Sequence, residues 1–231
     1  MGIQIIQGPH DILTLGAMDS LKIHSGKGQD AASWWEAGGA AGCWAAYQPK
    51  GAASLAASYT DLTGNGNNAG VGVAPTWDAV NGWIFNGLTQ YLTTTFVPQS
   101  DQSQTIIVQF SNRTDNDCLC GTSTGTSYFW IYPKLGGGQA YYGNGGLTVP
   151  AGGIDAGNLC VAGNQPYKNG VAHGGTIASE PTVLIAPVYI GGRIGFPVSS
   201  PCAAYIQAFA LYDNSLTSDQ VAAVAAAMAA L

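Results

Sequence analysis

From Cys43 onward, short apolar runs alternate with clusters of Gly, Asn, Ser, Thr and Pro. They recur every ~8–12 residues, the spacing of an all-β sandwich. In "QTIIVQF" the alternation puts Ile106, Val108 and Phe110 on one face of a strand and Thr105, Ile107 and Gln109 on the other. "YFWIY" (Tyr128–Tyr132) and "PVYIGG" (Pro187–Gly192) carry the β-branched and aromatic residues that suit a pleated, half-buried surface. Asn86-Gly87, Gly143-Asn144-Gly145-Gly146 and Asn169-Gly170 are predicted as hairpin turns, because Gly and Asn tolerate the positive φ such turns need.

A helical pattern is predicted only at the C-terminus. In "LTSDQVAAVAAAMAAL", Thr217 and Gln220 form a capping box, and Asp219 sits at the positive end of the helix dipole. Val221, Val224 and Met228 fall near one face, so the helix is expected to dock on the sandwich. Residues 1–42 differ, with broken apolar stretches and no sustained period. They are read as an extended arm, a candidate assembly tether, ahead of one domain over residues 43–231.

Composition narrows the partners. Charged residues make up 9% of the chain and the net charge is -6, so no basic stripe is present to neutralise a nucleic-acid backbone. No apolar run approaches the ~18 residues of a membrane span, and the N-terminus lacks the basic start of a signal peptide. Cys43, Cys118, Cys120, Cys160 and Cys202 are an odd set, expected as buried free thiols, with Cys118 and Cys120 on one strand face. His10, His24 and His173 stand next to none of them in sequence, so a zinc site is not expected.

Four ordered motifs carry a resemblance. "YTDLTGNGNNAG", "WDAVNGWIFNGLTQYLTT", "QPYKNGVAHGG" and "VYIGGR" with "YIQAFALYDNSLTSDQVAAV" are similar to the laminin-G-like, concanavalin A-like jelly-roll family. The resemblance implies a two-sheet antiparallel jelly-roll sandwich with a C-terminal helix. It leaves activity open, since that fold hosts lectins, glycosidases, adhesion modules and virion proteins. Retaining glycosidases place two carboxyl groups ~5 Å apart. Here Glu36 and Glu180 have no acidic neighbour within three residues, and Asp115 and Asp117 sit in a turn-forming stretch beside Arg113. No enzyme activity is expected.

Two functions follow. The first is a virion structural or attachment protein, a phage head-decoration or tail-associated component assembled in the host cytoplasm, whose arm contacts further copies or other virion proteins. The second is a glycan-binding module of a cell-surface or secreted protein, binding cell-surface sugars. Tyr141, Tyr142 and Asn144 are its candidate platform, two rings for a sugar's C–H face and an amide for its hydroxyls. Trp34 and Trp35 are candidate contacts, packing onto the domain or onto a partner, because Trp is enriched at interface hot spots. Asp61, Asn65 and Asn67 are read as a structural turn, with a weak Ca²⁺ site as the alternative. No other cofactor is expected.

Overall fold

The computed structural model describes residues 33–99, 101–113, 118–124, 127–135, 139–144, 147–177, 184–193 and 200–231. Its strands are β1 (Cys43–Tyr47), β2 (Gly70–Val73), β3 (Thr76–Asp78), β4 (Gly82–Ile84), β5 (Tyr91–Thr93), β6 (Thr105–Ser111), β7 (Cys120–Thr124) and β8 (Ser127–Leu135). They continue with β9 (Gln139–Asn144), β10 (Leu147–Gly152), β11 (Gly157–Ala162), β12 (Gln165–Lys168), β13 (Val171–Ala172), β14 (Tyr189–Ile190) and β15 (Tyr205–Tyr212). A 3-10 segment at Trp34–Gly39 precedes them, α1 (Leu55–Ser58) follows β1, and α2 (Ser218–Ala229) closes the chain.

The strands pair antiparallel in two sheets. Sheet A runs β13-β12-β11-β6-β15-β4-β3, and sheet B runs β10-β9-β8-β7-β14-β5-β2. β1 and β4 share one edge of β15, β1 pairing Tyr47 with Phe209 and β4 pairing Trp83 with Ile206. This is a concanavalin-like, jelly-roll-type sandwich.

Two cores hold it. Between the sheets, Ile106, Val108 and Phe110 of β6 meet Phe129, Ile131 and Tyr142 of sheet B, with Trp83, Phe209 and Leu211. The other face of β6 is also covered: Ile107 joins Cys160, Ala210 and Tyr212 beneath Val221, Val224 and Met228 of α2. Sheet A is therefore buried on both sides where the helix crosses it. The capping box forms as predicted, Gln220 N–H donating to Thr217 Oγ1 at 3.3 Å and Thr217 N–H to Gln220 Oε1 at 3.0 Å.

Two local expectations change. Asn169 and Gly170 have φ of 50° and 77° and join β12 to β13 in a two-residue hairpin, as expected. Asn86-Gly87 instead carries the chain from β4 in sheet A to β5 in sheet B, its Asn86 Oδ1 accepting from Leu88 and Thr89 N–H. Four of the five thiols are buried and all five are free, but Leu119 and Cys120 both enter the inter-sheet core. Alternation breaks there: Leu119 and Cys120 lie in the inter-sheet core and Cys118 does not join it, its Sγ donating to Cys120 O at 3.2 Å. The turn residues Gly145 and Gly146, the acids Asp115, Asp117 and Glu180, and arm residues 1–32 lie outside the described residues.

Residues 34–40, read in the sequence as part of the arm, pack on the domain. Trp34 is buried against α2, its Nε1–H donating to Gln48 Oε1 at 3.1 Å. The Tyr212 hydroxyl donates to Trp35 O at 2.7 Å, and Gln220 Nε2 donates to Gly39 O at 3.1 Å. The 3-10 segment comes so close to the helix that a Cβ on Gly38 would lie 2.6 Å from Ala223 Cβ. Trp34 is thus a core residue of its own chain, the first of the two placements expected for it, on the domain or on a partner.

Two substitutions measure these attachments by urea unfolding. Thr217→Ala is expected to cost about 1 kcal/mol for the lost cap. Trp34→Ala is expected to cost about 3 kcal/mol for the cavity left under α2. An unchanged unfolding midpoint for Trp34→Ala would show that the segment contributes nothing to the fold.

Candidate functional site

The stretch Tyr59–Gly70 folds around one carboxylate. Asp61 is 5% exposed, and its Oδ1 accepts from Ala46 N–H at 3.1 Å, Thr63 N–H at 3.0 Å and the Thr63 hydroxyl at 2.8 Å. Its Oδ2 accepts from Asn67 N–H at 3.1 Å. The backbone returns the favour, Asp61 N–H donating to Asn68 Oδ1 at 2.8 Å. Gly64 and Gly66, both at φ 82°, give the loop the left-handed bends that let it curl back on Asp61.

That curl presses the next two amides onto β1. Asn65 Nδ2 donates to Cys43 O at 2.9 Å and Trp44 O at 3.2 Å, and Asn67 Nδ2 donates to Trp44 O at 2.7 Å. Asp61, Asn65 and Asn67 therefore do not form a cation ligand set: the carboxylate faces protein donors, while the amides face backbone carbonyls. The same hydrogen bonds account for a rigid turn. No cluster of three or more His, Cys, Asp or Glu suited to a metal occurs among the described residues.

Above this loop opens a cleft of about 730 Å³. Its walls bring together segments far apart in sequence: Trp35 and Glu36 from the 3-10 segment, Trp44 from β1, Asn65 and Asn67 from the loop, and Asp213 just after β15. The β1–β15 register, with Cys43 opposite Tyr212, is what places Asp213 beside the loop. Gly42, at φ 72°, carries no Cβ because Asp213 Oδ1 and Asn214 Oδ1 crowd the place one would occupy.

The cleft's polarity is one-sided. Both amide hydrogens of Asn65 and one of Asn67 are taken by backbone carbonyls, and the Thr63 hydroxyl hydrogen by Asp61. Among the described residues, the polar side-chain groups left on the lining residues are the carboxylates of Glu36 and Asp213, the two amide oxygens, one Asn67 amide hydrogen and the indole N–H groups of Trp35 and Trp44. Cys43 also lines the cleft, but burial, then the Asp61 and Glu36 carboxylates, push its thiol up to about 12. It stays protonated at neutral pH and is no nucleophile.

The platform expected at Tyr141, Tyr142 and Asn144 is corrected at its centre. Tyr142 is fully buried in the inter-sheet core, its hydroxyl 2.8 Å from His173 Nδ1, so its ring cannot meet a ligand. Burial, with Lys168 second, holds His173 below the usual histidine range. Tyr141 and Asn144 occupy register positions opposite Tyr132 and Phe129 of β8. The outer face of sheet B carries other aromatics: Trp130 pairs with Gly121 on one side and Gly143 on the other, stacks on Tyr128 at 3.5 Å, and has Arg193 at 5.0 Å from its ring. Its π surface is thus engaged within the chain.

Of the residues singled out in sequence, the structure brings Trp35, Asn65 and Asn67 into one cleft and sets Asp61 behind it. Glu36, Trp44 and Asp213 complete it and were missed, because only the β1–β15 pairing reveals their proximity.

No protein-family model and no curated protein matches the chain. Solved structures do resemble it. A Trypanosoma rangeli sialidase in complex with 2,3-difluorosialic acid is 17% identical with a TM-score of 0.55, over 80% of this chain and 33% of that one. Domain 4 of AbnA, a GH43 extracellular arabinanase from Geobacillus stearothermophilus, in complex with arabinotriose, is 18% identical with a TM-score of 0.54, over 78% of this chain and 97% of that one. The chain spans about a third of the length of the sialidases it matches. At such identities these likenesses establish the fold, a jelly-roll-type sandwich of the kind found in carbohydrate-active proteins.

If Asp61 is the loop's organiser, Asp61→Ala strands several donors and is expected to lower stability by about 3 kcal/mol, more than one ordinary hydrogen bond. Thermal melts of both proteins are expected to be the same with calcium and with chelator. A calcium-dependent rise that vanishes in Asp61→Ala would make the loop a metal site instead.

Proposed function

We propose that this domain is a non-catalytic glycan-binding module whose site is the cleft between the 3-10 segment, β1 and the Asp61 loop. The observation that carries the reading is one open cleft lined together by Trp35 and Trp44, whose rings are partly packed on Trp34 and Phe96, by the amides of Asn65 and Asn67, and by Glu36 and Asp213. A sugar needs this mixture: an apolar ring surface for its C–H groups and fixed acceptors for its hydroxyls. Because the Asn side chains are already held by β1, binding costs little further ordering. The arabinotriose held by the AbnA domain, which is almost wholly covered by the match, supports the choice of ligand class.

Catalysis is not part of the proposal. Glu36 and Asp213 are both exposed, whereas a glycosidase needs one acid in an apolar surrounding that keeps it protonated. The same cleft would serve a virion attachment protein, and glycan binding is the part of that expectation for which the geometry offers a site.

The test is a glycan array followed by calorimetric titration of the bound sugars. Trp35→Ala is expected to weaken binding at least about tenfold, as for loss of an aromatic anchor, while the variant still melts cooperatively. Binding untouched by Trp35→Ala but lost in Trp130→Ala would move the site to the outer face of sheet B. Absence of any bound glycan would overturn the proposal.

A further inference from the structure

The cleft's charge and hydrogen-bonding balance specify its ligand more narrowly. We infer that it selects a cationic saccharide, a chain of amino sugars with free ammonium groups; this rests on the glycan reading above. Among the described residues, its lining includes Glu36 and Asp213 but no Lys, Arg or His. Asn65 donates both hydrogens of its N–H₂ group, to Cys43 O and Trp44 O, and Asn67 donates one, to Trp44 O, which leaves the two amide oxygens as acceptors.

Carboxylates and amide oxygens thus point to a ligand rich in donors and positive in charge.

A sugar hydroxyl brings one donor hydrogen together with an oxygen that itself seeks a donor, and the cleft supplies few. An ammonium brings three donors and no acceptor. It also meets Glu36 and Asp213 as opposite charges, while a sialic acid or uronic acid would set its carboxylate against them. Two exposed ion pairs of this kind amount to roughly a tenfold preference, and salt screens them because both carboxylates are open to solvent. The two indoles then serve the sugar ring itself and keep the selection from being one of charge alone.

The full chain is titrated calorimetrically with oligomers of glucosamine, N-acetylglucosamine and glucose of equal length, at low salt and below the pKa of the sugar amine. Glucosamine oligomers are expected to bind roughly tenfold more tightly than the other two. The ratio is expected to shrink with added salt and as pH rises through the amine's pKa. In the double variant Glu36→Gln, Asp213→Asn the ratio is expected to collapse toward one. Equal or weaker binding of the glucosamine oligomer, or a preference that survives in the double variant, would overturn the inference while leaving the glycan-binding function standing. A lysine oligopeptide bound as tightly as the glucosamine oligomer would also overturn it, by showing a cation site without sugar recognition. If no glycan binds, on the array or in solution, both the inference and the function fall together.

Discussion

The hydrogen bonds to the buried carboxylate of Asp61 are the interaction on which the rest of the cleft depends. A carboxylate taken out of water costs several kcal/mol unless donors replace the lost hydration. Here the donors come from β1 through Ala46 and from the loop itself through Thr63 and Asn67. One charge thereby ties a stretch rich in Gly and Asn to β1, which is paired along β15. Ala46, the anchor point, is fully buried and pairs with Ala210. The loop's shape depends on this anchor to sheet A together with its own Gly bends and the donors of Thr63 and Asn67.

A similar dependence explains the unusual composition. Sheet A is sealed on one face by sheet B and on the other by α2 and the 3-10 segment. A strand buried on both sides leaves little surface for charge, consistent with a chain only 9% charged. The helix lies close to the sheet because its contact positions are small. Gly170, at the β12–β13 turn, would place a Cβ 2.9 Å from Ala222 Cα, and Gly38 meets Ala223 on the other side. Larger residues at these points would lift the helix and open the second core.

Much of this was legible in the sequence where the signal is local. The capping box of α2 depends on residues three apart, and the hairpin at Asn169-Gly170 on two adjacent φ values; both can be read directly. Asn86-Gly87 has the same dipeptide, yet its strands part to different sheets, because the partners of β4 and β5 lie in β15 and β14. Tyr141 and Tyr142 are identical to a sequence reader, and only the pairing of Tyr142 with Ile131 across β8 shows which of them joins the core. Trp34 and Trp35 look like part of an arm because their burial partners, Gln48, Tyr212 and α2, come much later in the chain. The cleft was invisible for the same reason: its walls come from four segments brought together by the β1–β15 register.

The chemistry of that cleft follows from how the fold satisfies itself. The backbone carbonyls of Cys43 and Trp44 take the Nδ2 donors of Asn65 and Asn67, and the Asp61 carboxylate takes the Thr63 hydroxyl hydrogen. Each is a structural hydrogen bond that spends a side-chain donor and leaves oxygen atoms for whatever enters from outside. A loop closed by donors would leave a donor surface behind, suited to carboxylates or phosphates. This loop is closed around acceptors, so under the proposed function the acceptors that remain would set the sign of the ligand. The interactions that stabilise the turn and those that would recognise a partner are therefore one accounting of the same hydrogen-bonding groups. A substitution that rewires the turn, even one buried at Asp61, would alter selectivity by reorienting amides it does not itself present.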